Sequence, residues 1–143
     1  MNKIQHLFIY TDGGSRGNPG QAASGVYMTD QDGNVIAAFG TRLGIQTNNF
    51  AEYTAVIEAL QWVIEHREEF LENLQISFFM DSLLVYSQIL RLWKVKNEAI
   101  GNLLGIVREK QLQVHATIRY THIPREKNKQ ADRYVNLALD NKL

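Results

Sequence analysis

The chain has 143 residues, 45% of them apolar, with equal numbers of acidic and basic side chains and no cysteine. That length suits one folded domain with its own core, and the lack of cysteine excludes thiol catalysis, disulfides and cysteine-bound zinc. No apolar run approaches the ~20 residues of a membrane span, and the apolar stretch Leu7–Tyr10 is too short for a signal peptide, so no membrane partner is expected and the cytoplasm is the expected compartment.

Residues 5–11 read as a strand, apolar on both faces at its centre and therefore placed centrally in a sheet. It is expected to end on Asp12 and open into the glycine-rich turn Gly13-Gly14-Ser15-Arg16-Gly17-Asn18-Pro19-Gly20. Two further strands, 22–30 and 34–42, flank the hairpin signal Asp30-Gln31-Asp32-Gly33-Asn34. Residues 48–66 read as a helix, with Val56, Ala59, Leu60, Val63 and Ile64 at helical spacing. On local physics Asn48 is its N-cap. A strand at 75–80, helices at 82–91 and 97–110, a strand at 113–121 and a helix at 127–140 complete the chain. The order β-β-β-α-β-α-α-β-α predicts an α/β fold: a five-stranded mixed sheet flanked by helices, in a single domain over 1–143.

Charge is unevenly distributed. Glu65, Glu68, Glu69 and Glu72 stand against one arginine, segment 91–97 carries Arg91, Lys94 and Lys96 with no acid, and residues 119–133 are basic. A local basic face is thus compatible with zero net charge.

Four carboxylates carry the chemistry. Asp12 and Asp81 each follow an apolar strand, so parallel neighbouring strands would bring both to the carboxyl edge of the sheet. Glu52 lies in the first turn of its helix, and Val56, Ala59 and Val63 fall within about 40° of it. It therefore points with the apolar stripe, where an unpaired carboxylate costs several kcal/mol. Asp132 shares a helix face with Val135 and Leu139. Four acids aimed at one place repel unless cations hold them. Oxygen-only ligands suit Mg²⁺, with Mn²⁺ as a substitute, and a pair of such ions can drive phosphoryl transfer without a nucleophilic side chain.

The motifs Thr11-Asp12-Gly13-Gly14-Ser15, Gly17-Asn18-Pro19-Gly20, Thr47-Asn48-Asn49-Phe50-Ala51-Glu52 and Met80-Asp81-Ser82, with His122 ten residues before Asp132, resemble type 1 ribonuclease H. The match runs in order from about residue 6 to residue 140 and is most similar to a compact archaeal-like branch without a basic protrusion. The resemblance implies a ribonuclease H-like fold and a metal-dependent endonuclease that hydrolyses the RNA strand of RNA–DNA hybrids, leaving 5′-phosphate and 3′-hydroxyl ends. It implies Asp12, Glu52, Asp81 and Asp132 as ligands of two Mg²⁺ ions, and His122, on a mobile loop, as an aid to proton transfer or product release. It gives Gly13, Gly14 and Ser15 to the approach of a sugar–phosphate strand. Asn18, Asn48 and Asn49 match contacts to the minor groove of the hybrid, and Thr47 matches a phosphate contact.

The chain also departs from the family. Phe50 stands where many relatives are basic or polar, and Leu83 replaces a groove-reading glutamine. Residues 91–97, with Lys94 and Lys96, are the only compact substitute for a basic protrusion. Trp93 is read either as a stacking residue or as part of the core or a helix junction. These features predict modest, salt-sensitive affinity by a monomer. Two other functions fit the same residues: a hybrid-binding module with little catalysis, and a nuclease of this fold acting on double-stranded RNA. The intact set of four acids argues against the first. The asparagines favour 2′-hydroxyl reading, which leaves the second open.

Overall fold

The computed structural model describes residues 3–143. Strands β1 (Ile4–Gly17), β2 (Gly20–Asp30) and β3 (Val35–Gln46) form an antiparallel meander, followed by helix α1 (Asn48–Glu65). Strand β4 (Phe70–Met80), helices α2 (Leu83–Ile89) and α3 (Glu98–Val114), strand β5 (Thr117–His122) and helix α4 (Lys129–Leu139) follow. The sheet order is β3-β2-β1-β4-β5, with β1 at its centre and β4 and β5 running parallel to it. The predicted mixed sheet is thus observed. No helix among the described residues is long and apolar enough to cross a membrane.

The alternation of β1 decides where the core lies. Leu7 and Ile9 are fully buried, as are Val26 and Met28 of β2 and Phe78 of β4, and this face meets Val56, Leu60 and Val63 of α1 and Val107 of α3. Burying such side chains contributes about 1.5–3 kcal/mol each. The opposite face is only partly covered. Helix α4 crosses it with a small apolar cluster of Ala23, Val135 and Ala138. Beyond α4, Phe8, Tyr10 and Phe79 are half-buried and shield one another by stacking, with the Tyr10 and Phe79 rings 4.8 Å apart. The central strand is therefore apolar on both faces, as predicted, although helices cover only one of them fully.

Three boundaries differ from expectation. First, β1 does not stop at Asp12. It pairs with β2 through Gly13-Gly14-Ser15 as far as Gly17, and the turn is confined to Asn18 and Pro19, joined by a cis peptide bond. Second, β4 begins at Phe70, within the acidic segment. Third, α3 runs on to a buried Val114 and ends at His115 in the left-handed region (φ 53°), so β5 starts only at Thr117. The apparent alternation from Val114 combines the last turn of a helix with the start of a strand.

Arg67 secures that junction. Its guanidinium donates to the carbonyls of Val114 (2.8 Å) and His115 (2.9 Å) at the end of α3. It also donates to Leu71 (2.9 Å) and Glu72 (3.1 Å) at the start of β4. Charge-assisted bonds to otherwise orphaned carbonyls are the strong kind. Arg67→Ala is expected to destabilise the fold by about 2–4 kcal/mol, read as a lower urea midpoint at unchanged slope.

Candidate active site

The carboxyl end of β4 lies beside the middle of β1, the last register pair being Thr11 with Met80. Asp12 and Asp81 follow that pair directly, as the predicted parallel adjacency requires. Glu52 reaches them because α1 packs against β1 at Gly13. A Cβ on Gly13 would sit 2.2 Å from the backbone carbon of Ala51, a contact no other residue type tolerates. The glycine admits the helix backbone there, so close packing against protein is its observed structural role. Carboxylate oxygens of Asp12, Glu52 and Asp81 all lie within 4.8 Å of one another.

Asp132 is not part of that trio. It is exposed in the first turn of α4 and lines the same cavity. Helix α4 owes its approach to Gly25, where a Cβ would fall 2.2 Å from the Ala131 carbonyl oxygen. The cavity, about 380 Å³, is lined by all four acids together with Gly13, Gly14, Ser15, Asn48 and Asn49.

The electrostatics follow from this crowding. Burial, then the charge of Asp81, pushes the Asp12 carboxyl up to about 7 from its ordinary 3.8, and Asp132 adds to the rise. Burial, then the charges of Asp12 and Asp81, raises Glu52 well above its ordinary value. The Gly13 N–H offsets part of both shifts. Such a group of buried and half-buried acids, all oxygen donors, fits a divalent cation of the Mg²⁺ or Mn²⁺ type.

Around the acids, the asparagine set forms a network. Thr47, not Asn48, caps α1, its hydroxyl accepting from the Phe50 N–H at 3.2 Å. That frees the Asn48 side chain, whose Oδ1 accepts from the Ser15 N–H at 2.9 Å and from its hydroxyl at 3.0 Å. Asn18 Oδ1 in turn accepts from the Asn48 N–H at 2.9 Å. The β1–β2 turn and the start of α1 are thereby tied together beside the acids. Asn18 and Thr47 hold the network without lining the cavity.

His122 is not on a loop. It is the last residue of β5, paired in register with Met80, and its Nε2–H donates to the Asp81 carbonyl at 3.2 Å while the ring remains exposed. Lys94 and Lys96 are exposed in the α2–α3 connection and do not line the cavity. Trp93, in that connection, is 46% exposed, so it is not a core residue; its backbone N–H bonds to Ser87 at the junction.

Sequence reasoning missed Asn128, Arg125, Arg16 and Asn136. Arg125, Arg16 and Asn136 line the cavity, and Arg16 pairs with Asp140 at 2.7 Å. Asn128 is 1% exposed and its amide donates to the Thr11 carbonyl (2.8 Å) and to Asp81 Oδ2 (3.0 Å). The available signal was an asparagine ahead of a helix, four residues before an acid already singled out.

This sheet order, with acids from β1, α1 and the end of β4, defines a ribonuclease H-like fold. A family model described as reverse transcriptase-like matches residues 10–138. Ribonuclease HI of Halobacterium salinarum is 36% identical over 134 residues, which are 94% of this chain and 64% of that protein. The crystal structure of RNase H1 from the same halophile superposes with a TM-score of 0.86 at 34% identity, covering 95% of this chain and 98% of that one. LC11-RNase H1 in complex with an RNA/DNA hybrid gives a TM-score of 0.88 at 37% identity, covering 94% and 97%. The chain belongs to the type 1 ribonuclease H family. It spans about two thirds of the length of the Halobacterium relative and about a third of a bifunctional Mycobacterium tuberculosis protein that is also 36% identical to it.

Proposed function

We propose that this chain is an endoribonuclease that hydrolyses the RNA strand of RNA–DNA hybrids with the help of two divalent cations, Mg²⁺ by preference, leaving 5′-phosphate and 3′-hydroxyl ends. The observation that carries this reading is the meeting of Asp12, Glu52 and Asp81 within 4.8 Å on one sheet edge. Asp12, Glu52 and Asp81 would hold the cations, with Asp132, which lines the same cavity, completing the set. Bound there, such ions supply the Lewis acidity for phosphoryl transfer. Because one chain provides all four acids, a monomer suffices.

The remaining residues have separate tasks. Ser15, Asn48 and Asn49, with the backbone at Gly13 and Gly14, offer polar groups along the cavity wall, suited to sugar hydroxyls in a minor groove. Asn18 braces Asn48. Thr47, exposed at the N-terminus of α1, contacts a phosphate in this reading, since helix N-termini favour anions. Lys94 and Lys96 lie beyond the cavity, so their role is confined to long-range attraction. His122, exposed beside Asp81, takes or delivers a proton as product leaves. The similar LC11-RNase H1, which binds an RNA/DNA hybrid, supports the choice of substrate.

The test is cleavage of a labelled RNA–DNA hybrid beside single-stranded RNA, double-stranded RNA and duplex DNA, each with Mg²⁺, Mn²⁺ or EDTA. Cation-dependent cutting confined to the RNA strand of the hybrid is the expected result. Cutting of double-stranded RNA as well would extend the substrate class. Retained hybrid binding without cleavage under either cation would replace the enzyme with a binding module.

A further inference from the structure

Asn128 occupies the N-cap position of α4 but makes no side-chain bond to its own helix. An asparagine there ordinarily accepts from the N–H groups of the first turn. Instead its amide turns inward, donating to the Thr11 carbonyl at 2.8 Å and to Asp81 Oδ2 at 3.0 Å. Both partners are acceptors, so the amide nitrogen must face them. The arrangement is not one that favours stability alone. Asn128 Oδ1 is buried and meets no donor among the described residues, as is the case for the neighbouring Thr11 hydroxyl.

The three clustered acids differ in how firmly they are anchored. Asp12 sits within a paired strand and Glu52 on a helix. Asp81 lies just past the end of β4, ahead of α2, and is half-buried. Repulsion from Asp12 and Glu52 would turn this least restrained carboxylate toward solvent. The Asn128 amide is the side-chain donor that opposes that rotation. It holds Oδ2 of Asp81, and its second bond, to the Thr11 carbonyl of β1, fixes the amide itself.

We infer that Asn128 is a positioning residue that orients Asp81 for cation binding. This rests on the proposed function. Groups that hydrogen-bond to ligating carboxylates commonly set cation affinity by ten- to a hundredfold. The probe is Mn²⁺ alone, titrated calorimetrically into the full chain, with thermal melts and hybrid binding in EDTA alongside. Asn128→Ala should weaken Mn²⁺ binding by about tenfold or more and leave cation-free hybrid binding within about twofold. Asn128→Ser retains a favoured N-cap for α4 but is too short to reach Asp81, and should show the same loss. Mn²⁺ affinity unchanged within about twofold in either folded variant would overturn the inference, as would failure of both to fold, which would make Asn128 a strut between sheet and helix. Absence of Mn²⁺ binding by the unaltered chain would overturn the proposed function, and the inference with it.

Discussion

Asp12→Asn is expected to slow hybrid cleavage about a thousandfold or more, equivalent to about 4 kcal/mol of activation free energy, while making the cation-free protein more stable. The two effects share one cause. Asp12 is 8% exposed on the central strand and crowded by Asp81, Glu52 and Asp132. An amide of the same shape keeps the packing but removes a buried charge and its repulsions. It also removes one of the carboxylates proposed to hold the cations. Because the Asp12 carboxyl is already pushed up to about 7, the amide resembles its protonated form. The gain in melting temperature should therefore be largest above pH 7 and small near pH 4. Melts in EDTA, paired with cleavage rates in Mg²⁺, check both halves. Turnover near that of the unaltered chain would rule Asp12 out as a cation ligand.

The same crowding predicts an unusual pH dependence. The folded Asp12 carboxyl, at about 7, binds its proton more tightly than the unfolded one near 3.8. Glu52 is shifted in the same direction. Between those values these two groups carry more protons in the folded state than in the unfolded state, so their contribution to stability falls as pH rises. The contribution present below about pH 4 is lost by about pH 7, a decline on the order of 2–4 kcal/mol without cations. The exposed carboxyl of Asp140 shifts the other way through its bond to Arg16, but solvent screening keeps that contribution small. Millimolar Mg²⁺ should restore the lost stability at pH 7 and do little at pH 4, because cations bind the ionised cluster and not the unfolded chain. Urea denaturation across that range, in EDTA and in Mg²⁺, measures it. Cation-free stability that is flat or rising from pH 4 to 7 would refute a preformed cluster.

The two predictions concern residues that were legible at different levels. Asp12 and Asp81 could be placed together because each follows an apolar strand, and parallel neighbours bring such positions to one edge. Glu52 could be aimed because helical periodicity fixes its direction relative to Val56, Ala59 and Val63. The glycine run was harder to read. Its composition suggests a turn, yet β2 supplies a full ladder as far as Gly17, and pairing with a neighbour overrides local preference. The N-cap of α1 was misplaced by one residue because Thr47 and Asn48 are both capable caps. Ser15, distant in sequence, claims Asn48.

The amino-acid sequence by itself determined the order of strands and helices, the central place of β1, the sheet edge on which the acids gather and the direction of Glu52. Each of these depends on periodicity within a segment or on adjacency of two segments. The tertiary structure alone decided that three acids cluster while Asp132 lies outside that trio, that His122 ends a strand, and that Asn128 turns from its helix to Asp81. Those outcomes depend on how closely α4 crosses the sheet at Gly25 and on which of several acceptors each polar side chain reaches. Such choices are competitions between partners far apart in the chain, and local pattern does not encode them.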